Sequence, residues 1–413
     1  MSGDASQAAG PPRRALLLSY GAGLLALGLM DAYVFIIPLW AVLIGANATE
    51  VGLLVGARSF LPALLAIHGG ALIDRYGSRR IMIAFVIVII VLAPLYPLLP
   101  WFVPLFIMQT IIGLALTMQW VGAQTTIAHL SKGDTGYIGQ FSFATRIGTF
   151  IAPIIFGMLW DLTNPTVCFL GVALWGALML ALTLAISPDA PAQPAEAEKA
   201  VRPLSATIRA VMPKWSDYRE TVALLAIPAI AISIAACFLR NSTSSIQSSI
   251  YMVYLTQIGI TGTVIGVLFA GIEGASSIGS LVAGRAAKWL PPFAMLIGTT
   301  AAAIALIVIT PLLGGVVVLL FAAQVLRGVI QGINQPVMFS VQARAVPPER
   351  QGATVALRVT VNRFSSMIVP PVMGAIADLA GVGASFLVLG AILLAGTGAL
   401  WLWARRIPEA AAT

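Results

Sequence analysis

The sequence predicts an all-α membrane protein with twelve transmembrane helices, arranged as two six-helix pseudo-symmetric bundles. Three observations predict this class: an apolar composition, a series of long apolar runs, and an internal repeat. Of the 413 residues, 59% are hydrophobic and 9% are charged, and the mean hydropathy is +0.97. Soluble domains carry about 25% charged residues. The composition therefore excludes a soluble enzyme, a disordered protein and a secreted disulfide scaffold.

Twelve apolar runs are long enough to cross the hydrocarbon core of a bilayer, which takes roughly 20 helical residues. They lie at about 15–45, 51–73, 81–100, 103–128, 137–160, 166–187, 224–257, 263–286, 292–312, 315–342, 352–377 and 381–404. Residues that end helices, such as Gly45 and Pro165, separate them. The runs lack the short apolar/polar alternation that is typical of transmembrane β-strands.

Lysine and arginine predict the orientation of these spans. If the N-terminus lies on side one, that side holds 17 of the 23 basic residues, six lie inside spans, and the other side holds none. Basic loop residues stay on the cytoplasmic side of a membrane. We therefore expect a multi-pass protein of the cell (inner) membrane with both termini in the cytoplasm.

The longest polar break divides the spans six and six. It predicts an N-terminal bundle at 1–187, a cytoplasmic linker with an amphipathic helix at 188–220, and a C-terminal bundle at 221–413. The linker opens with a proline-rich stretch and continues with apolar residues at helical spacing, which is typical of a helix lying on the membrane surface.

The two halves are related in sequence. Residues 45–52 match residues 259–266 at an offset of 214, and Gln109 and Gly113 recur as Gln324 and Gly328. The best match joins spans 5 and 11, where four residues recur with the same spacings: Arg146, Pro153, Gly157 and Asp161 correspond to Arg363, Pro370, Gly374 and Asp378. Repeats of the same topology imply a pseudo-twofold axis along the membrane normal, which suits a carrier with two rocking halves.

Charged residues inside the spans predict which helices face the interior. Eight charged residues lie inside spans: Asp31, Arg58, Arg146, Arg240, Glu273, Arg327, Arg358 and Arg363. Spans 3, 6, 9 and 12 have none, and neither has span 4, but span 4 carries polar residues such as Gln109 and Gln124 near helical spacing and is expected to line the interior. Because a charge in lipid is costly, charged helices face a polar interior. Spans 3, 6, 9 and 12 are therefore expected to lie outermost.

The segment after span 2 carries a specific motif. It reads Gly70-Ala71-Leu72-Ile73-Asp74-Arg75-Tyr76-Gly77-Ser78-Arg79-Arg80. With the twelve spans and the six-plus-six repeat, it resembles the major facilitator superfamily over essentially the whole chain. The resemblance implies a cytoplasmic gate formed by Gly70, Asp74, Arg75, Gly77, Arg79 and Arg80. In span 5, Gly148, Ala152-Pro153 and Gly157 are similar to a motif of the proton-coupled antiporter branch.

Two acids are candidates for proton coupling. A carboxyl group that is buried in a membrane can take up and release protons near neutral pH, and Asp31 and Glu273 are placed for this role. For Asp31 the alternative is a structural ion pair with Arg58 on the next span. Arg240 is the possible partner of Glu273.

Arginines and amides predict where substrate binds. The candidate substrate-binding residues are Arg146, Arg240, Gln247, Arg327, Gln331 and Arg363. Arginine binds carboxylate or phosphate groups well because its guanidinium group is planar and permanently charged. The alternative for the repeat-related Arg146 and Arg363 is that they bond backbone carbonyls of neighbouring helices. Arg358 is interpreted as structural.

These features favour a secondary active transporter that works by alternating access. The first interpretation is proton-coupled export of small organic molecules, either drug-like or anionic. The alternative is a proton symporter for uptake of an organic anion, and a non-transporting nutrient sensor is a third reading. We expect no enzyme activity, cofactor, metal or nucleic-acid partner, and a monomer in the lipid bilayer.

Overall fold

The computed structural model describes residues 11–132, 134–187, 222–286 and 291–406, and the regular structure in these ranges is helical. The twelve main helices are α1 (Arg13–Leu43), α2 (Ala48–Tyr76), α3 (Ser78–Leu98), α4 (Phe102–Ser131), α5 (Thr135–Leu162), α6 (Pro165–Ala185), α7 (Pro228–Gln257), α8 (Gly262–Ala286), α9 (Pro292–Val308), α10 (Val317–Ala345), α11 (Pro348–Ala380) and α12 (Val382–Ala404). This confirms the predicted fold class. The linker helix predicted within 188–220 lies outside the described residues.

Two of the twelve helices are interrupted. The two segments of α3 are Ser78–Leu92 and Leu95–Leu98, and Pro94 lies between them. Helix α7 consists of Pro228–Gln247 and Ile250–Gln257, with a break at two serines. The segment around the break contains many serines. Their hydroxyl groups form hydrogen bonds with nearby backbone groups and so compete with the hydrogen bonds of the helix.

Ten of the helices are long and apolar enough to cross a membrane in the described part of the chain. Helix α9 has 17 residues and is shorter than the usual span. Helix α11 is long, but polar residues such as Asn362 and Arg363 lower its hydropathy. Both helices correspond to predicted spans, but α9 is shorter than a typical spanning helix and α11 is more polar.

The helices form two groups, α1–α6 and α7–α12, which meet along two helix pairs. Helix α2 packs along α11, and α5 packs along α8. The second segment of α7 also reaches α1 and α2. The main contacts of α3, α6, α9 and α12 stay within their own group. This arrangement fits the outer position that the charge distribution predicts for those four helices.

Backbones approach closely where the two groups meet. We call the end of the bundle where α1 ends and α2 begins the far face, and the opposite end the near face. Close to the far face, a Cβ on Gly52 of α2 would collide with the carbonyl of Pro370 on α11. A Cβ on Gly266 of α8 would collide with the carbonyl of Pro153 on α5. Glycine permits this approach because it has no Cβ.

Valine at Gly266 is expected to destabilise the protein, because the added side chain must push α8 away from α5. Overpacking of this kind costs about 1–3 kcal/mol. The matched control is Gly284→Val on the same helix, where a Cβ has no atom within 4 Å. Thermal unfolding of the purified protein in detergent measures both variants. Equal melting temperatures for the two would contradict close α5–α8 packing.

Candidate transport site

A cluster of charged side chains lies at the centre of the molecule. The described residues contain one salt bridge, in which Nη1 of Arg146 on α5 lies 2.8 Å from Oε2 of Glu273 on α8. The two side chains are 45% and 37% exposed, so water can reach both. This ion pair joins the two groups of helices.

Glu273 pairs with Arg146, whereas the sequence suggested Arg240 as its possible partner. The reason is packing, because α5 runs along α8 while the first segment of α7 packs against α9, α10 and α11. Asp31 of α1 is half-buried and interacts electrostatically with Arg58, Arg146 and Glu273. Asp31 and Arg58 therefore attract each other at longer range, outside the distance of a salt bridge.

The repeat-related arginines Arg146 and Arg363 lie at the two interfaces between the groups. Arg146 is paired with Glu273 across α5 and α8. Arg363 of α11 is half-buried and close enough to Arg58 of α2 for electrostatic repulsion. The α5–α8 interface is therefore locally neutral, while the α2–α11 interface brings two like charges together.

Three of the predicted substrate-binding residues meet where α7 packs against α10. Arg327 is 1% exposed, and its guanidinium donates to Oε1 of Gln247 and to the carbonyl oxygen of Thr243 at 3.4 Å. Nε2 of Gln331 donates to Oγ1 of Thr243 at 3.0 Å. Arg327 also attracts Glu273 electrostatically, which connects it to the central cluster.

Arg240 lies apart from this cluster. It repels Arg358 of α11, and the guanidinium carbon of Arg358 sits 4.1 Å above the ring of Phe339. This cation–π contact agrees with the structural interpretation of Arg358. Of the six intramembrane arginines, four therefore share the centre with Asp31 and Glu273: Arg58, Arg146, Arg327 and Arg363. The formal charge of this central cluster is four minus two, or +2.

A small cavity adjoins the central cluster where the break in α7 meets the first group of helices. Its lining residues are Tyr33, Val34, Ile37, Val55, Arg58, Gln109 and Ser248. Sequence reasoning missed Tyr33 and Ser248 as site residues. A lone tyrosine in an apolar run is typical of core packing, so no local signal marked it.

Two carboxylates cap helices across the groups at the far face. Asp161 at the end of α5 accepts the backbone N–H groups of Gly262 at 2.8 Å and Thr263 at 2.6 Å, which begin α8. Asp378 at the end of α11 accepts those of Ala48 and Thr49, both at 2.9 Å, which begin α2. Helix N-termini attract negative charge, so both aspartates hold the far face closed.

The predicted cytoplasmic gate is only partly described. Gly77 has φ +83°, a conformation that glycine adopts readily, and it forms the turn between α2 and α3. Arg79 donates to the carbonyls of Thr183 at 3.2 Å and Leu184 at 2.8 Å at the end of α6, and Arg80 is exposed. Gly70 lies within α2, whereas the side chains of Asp74 and Arg75 lie outside the described part of the chain. The gate role of Asp74 stays a prediction.

Comparison with solved structures shows the fold. A nucleoside transporter NupG (D323A mutant) has a TM-score of 0.75 at 13% identity, covering 94% of this chain and 99% of that chain. A POT family transporter in complex with 5-aminolevulinic acid has a TM-score of 0.72 at 15% identity, covering 96% and 97%. A bacterial homolog of the human lysosomal transporter Spinster also has a TM-score of 0.72 at 15% identity, covering 97% and 99%.

Sequence comparison shows the family. No curated protein matches the chain significantly. The family model described as Major Facilitator Superfamily matches residues 19–244 and 230–413, which together span almost the whole chain. The match is to the superfamily as a whole, and it agrees with the twelve helices, the two interfaces and the polar centre. The chain therefore belongs to the Major Facilitator Superfamily, and it is a multi-pass membrane transporter rather than an enzyme.

Proposed function

We propose that the protein is a proton-coupled secondary transporter of small organic anions, in which anion and proton move together. The observation that carries this proposal is the central cluster, where four arginines face two carboxylates and a single salt bridge forms among the described residues. An unpaired charge in a low-dielectric interior costs roughly several kcal/mol per ion. A bound anion would offset this cost by pairing with the arginines.

The substrate's acidic group belongs at the α2–α11 interface in this proposal. Arg58 and Arg363 repel each other there, and a carboxylate or phosphate between them turns repulsion into two attractions. The Arg327 guanidinium already donates to Gln247 and is nearly inaccessible to solvent. Its charge therefore adds to the positive electrostatic potential at the site without contacting the substrate. Arg240 is outside the central cluster and is omitted from the binding site.

The ion pair of Arg146 with Glu273 favours symport. While Glu273 is charged, it occupies the Arg146 guanidinium and lowers the positive charge that is available to a substrate. Protonation of Glu273 breaks the pair and frees Arg146 to attract an anion. Proton binding and anion binding therefore favour each other, and reciprocal coupling of this kind carries both ligands in the same direction.

Alternating access follows from the two groups of helices. In our proposal the far face is extracellular, because its loops carry no lysine or arginine, and the cross-group caps by Asp161 and Asp378 keep it closed. The bundles at 1–187 and 221–413 then rock about the central cluster. Asp74 and its neighbouring basic residues close the cytoplasmic side when the far face opens.

Export by proton antiport is the second candidate. It is favoured by α5, whose Gly148, Ala152-Pro153 and Gly157 are similar to the antiporter motif. Gly148 lies against the Leu24 carbonyl of α1, and Gly157 against that of Gly262. The direction of the proton gradient that drives transport separates the two candidates.

Uptake into proteoliposomes under an imposed pH gradient tests the proposed function. We expect labelled carboxylates to accumulate when the lumen is alkaline, because inward proton flow then drives anion entry. Arg363→Gln is expected to lower the initial rate about tenfold or more, since a charge-assisted contact contributes roughly 1.5–3 kcal/mol. Accumulation driven by an acidic lumen would instead support antiport.

The matched control is Arg358→Gln, which removes an arginine from the same helix but outside the central cluster. It is expected to keep most of the wild-type rate. Gel filtration and thermal unfolding establish that both variants are folded. Transport of cationic dyes in preference to anions, or equal rates in Arg363→Gln and the wild type, would refute the proposal.

A further inference from the structure

Two buried polar groups in the cavity at the α7 break have no hydrogen-bond partner among the residues that the structure describes. They are the phenol oxygen of Tyr33 on α1 and Oε1 of Gln109 on α4, and both residues are at most 2% exposed. Both residues line the cavity, together with Arg58 and Ser248. An unsatisfied buried polar group costs about 1–3 kcal/mol. Occupation of the cavity by a hydrogen-bonding group would remove that cost.

The geometry points to a hydroxyl-binding subsite, and we infer that Gln109 and Tyr33 bind a hydroxyl group of the transported anion. This inference rests on the proposed function and adds that the substrate class is hydroxylated organic acids. The pocket is small, with room for roughly one water-sized group. It therefore fits a single functional group of a substrate whose acidic group lies between Arg58 and Arg363.

A hydroxyl is the group whose chemistry matches the lining. Oε1 of Gln109 can only accept, so its partner must donate, which a carboxylate cannot do. An ammonium donates, but it would lie beside the positive charge of Arg58. A hydroxyl donates to the amide oxygen and accepts from the phenol of Tyr33. It also satisfies the pocket if the amide is turned the other way, because it can accept from the amide nitrogen.

The acid site and the pocket share one residue. Arg58 lines the pocket and is repelled electrostatically by Arg363 of α11, so it belongs to both. Ser248 closes the pocket from the other group of helices, and its hydroxyl already donates to the Ser245 carbonyl at 3.2 Å. Ser248 therefore presents lone pairs to the pocket. The pocket exists only while both groups of helices meet at this level.

The second half of the chain contains a related pair of buried polar groups. Gln324, the repeat counterpart of Gln109, and Tyr251 in the second segment of α7 are buried, and the Tyr251 phenol interacts with the Gln324 side chain. Both lie near Arg327 on the α7–α10 side, since Tyr251 interacts electrostatically with that arginine. Gln324 and Tyr251 therefore differ from Gln109 and Tyr33, which line the pocket at the α7 break.

Binding of matched acids to the purified protein tests the inference. The probes are pairs that differ by one hydroxyl: propionate and lactate, succinate and malate, and 3-phenylpropionate and 3-phenyllactate. In at least one pair we expect the wild type to bind the hydroxylated acid about tenfold more tightly, as one hydrogen bond that satisfies a buried group would give. Gln109→Met and Tyr33→Phe are each expected to reduce this preference below about threefold by weakening the binding of the hydroxylated acid.

The matched control is Gln124→Met, because Gln124 is an exposed glutamine on the same helix. It is expected to keep the wild-type preference. Equal affinities within every pair, or an undiminished preference in both Gln109→Met and Tyr33→Phe, would overturn the inference while anion binding itself stands. If no acid binds, or if Arg363→Gln binds all of them as the wild type does, the proposed function fails and the inference fails with it.

Discussion

Replacing Glu273 with glutamine is expected to abolish proton-driven accumulation of substrate while exchange of substrate across the membrane continues. Glutamine cannot take up a proton, so the variant loses the group whose protonation frees Arg146. The amide also fails to neutralise Arg146, and the guanidinium stays available to an anion at every pH. The variant is therefore expected to bind the anion but to transport it without coupling to protons.

Two assays on the same proteoliposomes separate these effects. In the first, an alkaline lumen drives uptake, and we expect Glu273→Gln to reach only the equilibrium level. In the second, unlabelled substrate inside drives exchange with labelled substrate outside at equal pH, and we expect at least about a third of the wild-type rate. Glu50→Gln is the control, because Glu50 caps the start of α2 and lies outside the central cluster. Undiminished gradient-driven accumulation in Glu273→Gln would assign the proton to another group, with Asp31 next to be tested.

The sequence predicted the helices and the two halves because these depend on local hydropathy. A run of apolar residues that is long enough to cross a bilayer has few alternatives to a helix, since every backbone polar group must be bonded internally. All twelve predicted spans correspond to helices. The interruptions of α3 and α7 were not predicted, although Pro94 and the serines of α7 mark them in retrospect.

The partners of the charged residues could not be predicted in the same way. Pairing depends on which helices touch and on how each is rotated, and neither is encoded in one span. Glu273 meets Arg146 because α8 packs along α5, whereas the neighbour of α8 in sequence, α7, packs elsewhere. Tyr33 and Ser248 enter the site for the same reason, through the contact of the α7 break with α1, α2 and α4.

The internal repeat predicts more of the structure than a pseudo-twofold axis. The four residues shared by α5 and α11 include the prolines and glycines of the close contacts: Pro153 and Gly157 against α8, Pro370 and Gly374 against α2. The matching segments 45–52 and 259–266 supply the opposite sides of these contacts. These segments therefore mark the far face, and of the four residues shared by α5 and α11 only the arginines reach the central cluster.

The two interfaces differ in charge although the repeat relates their arginines. Arg146 forms a salt bridge with an acid on α8, while Arg363 repels Arg58 of α2 electrostatically. In the proposed mechanism, one interface responds to protons and the other attracts an anion. Such a division of roles between repeat-related positions would serve the proposed coupling, because the two ligands then bind at separate groups that share one conformational change.

Removing both far-face caps is expected to shift the protein towards an outward-open form. In Asp161→Ala/Asp378→Ala, the first turns of α8 and α2 lose the carboxylates that cross between the groups of helices. Loss of a helix cap costs about 0.5–2 kcal/mol. Both caps act only while the far face is closed, so the two losses add to a shift of about 1–4 kcal/mol in the equilibrium between the two forms. Each 1.4 kcal/mol changes the population ratio about tenfold.

The distance between spin labels at Leu162 and Leu379 measures this shift. Both residues are exposed at the far face, at the ends of α5 and α11 in opposite groups. We expect a longer distance to appear in the double variant and to become the major population. The control is Asp134→Ala, because Asp134 caps α5 through Gly136 and Tyr137 within a single group. Its loss weakens a helix end without releasing the other half, so its distance distribution should match the wild type. An unchanged distribution in the double variant would mean that the glycine-mediated packing at Gly52 and Gly266 is sufficient to keep the far face closed without the two carboxylates.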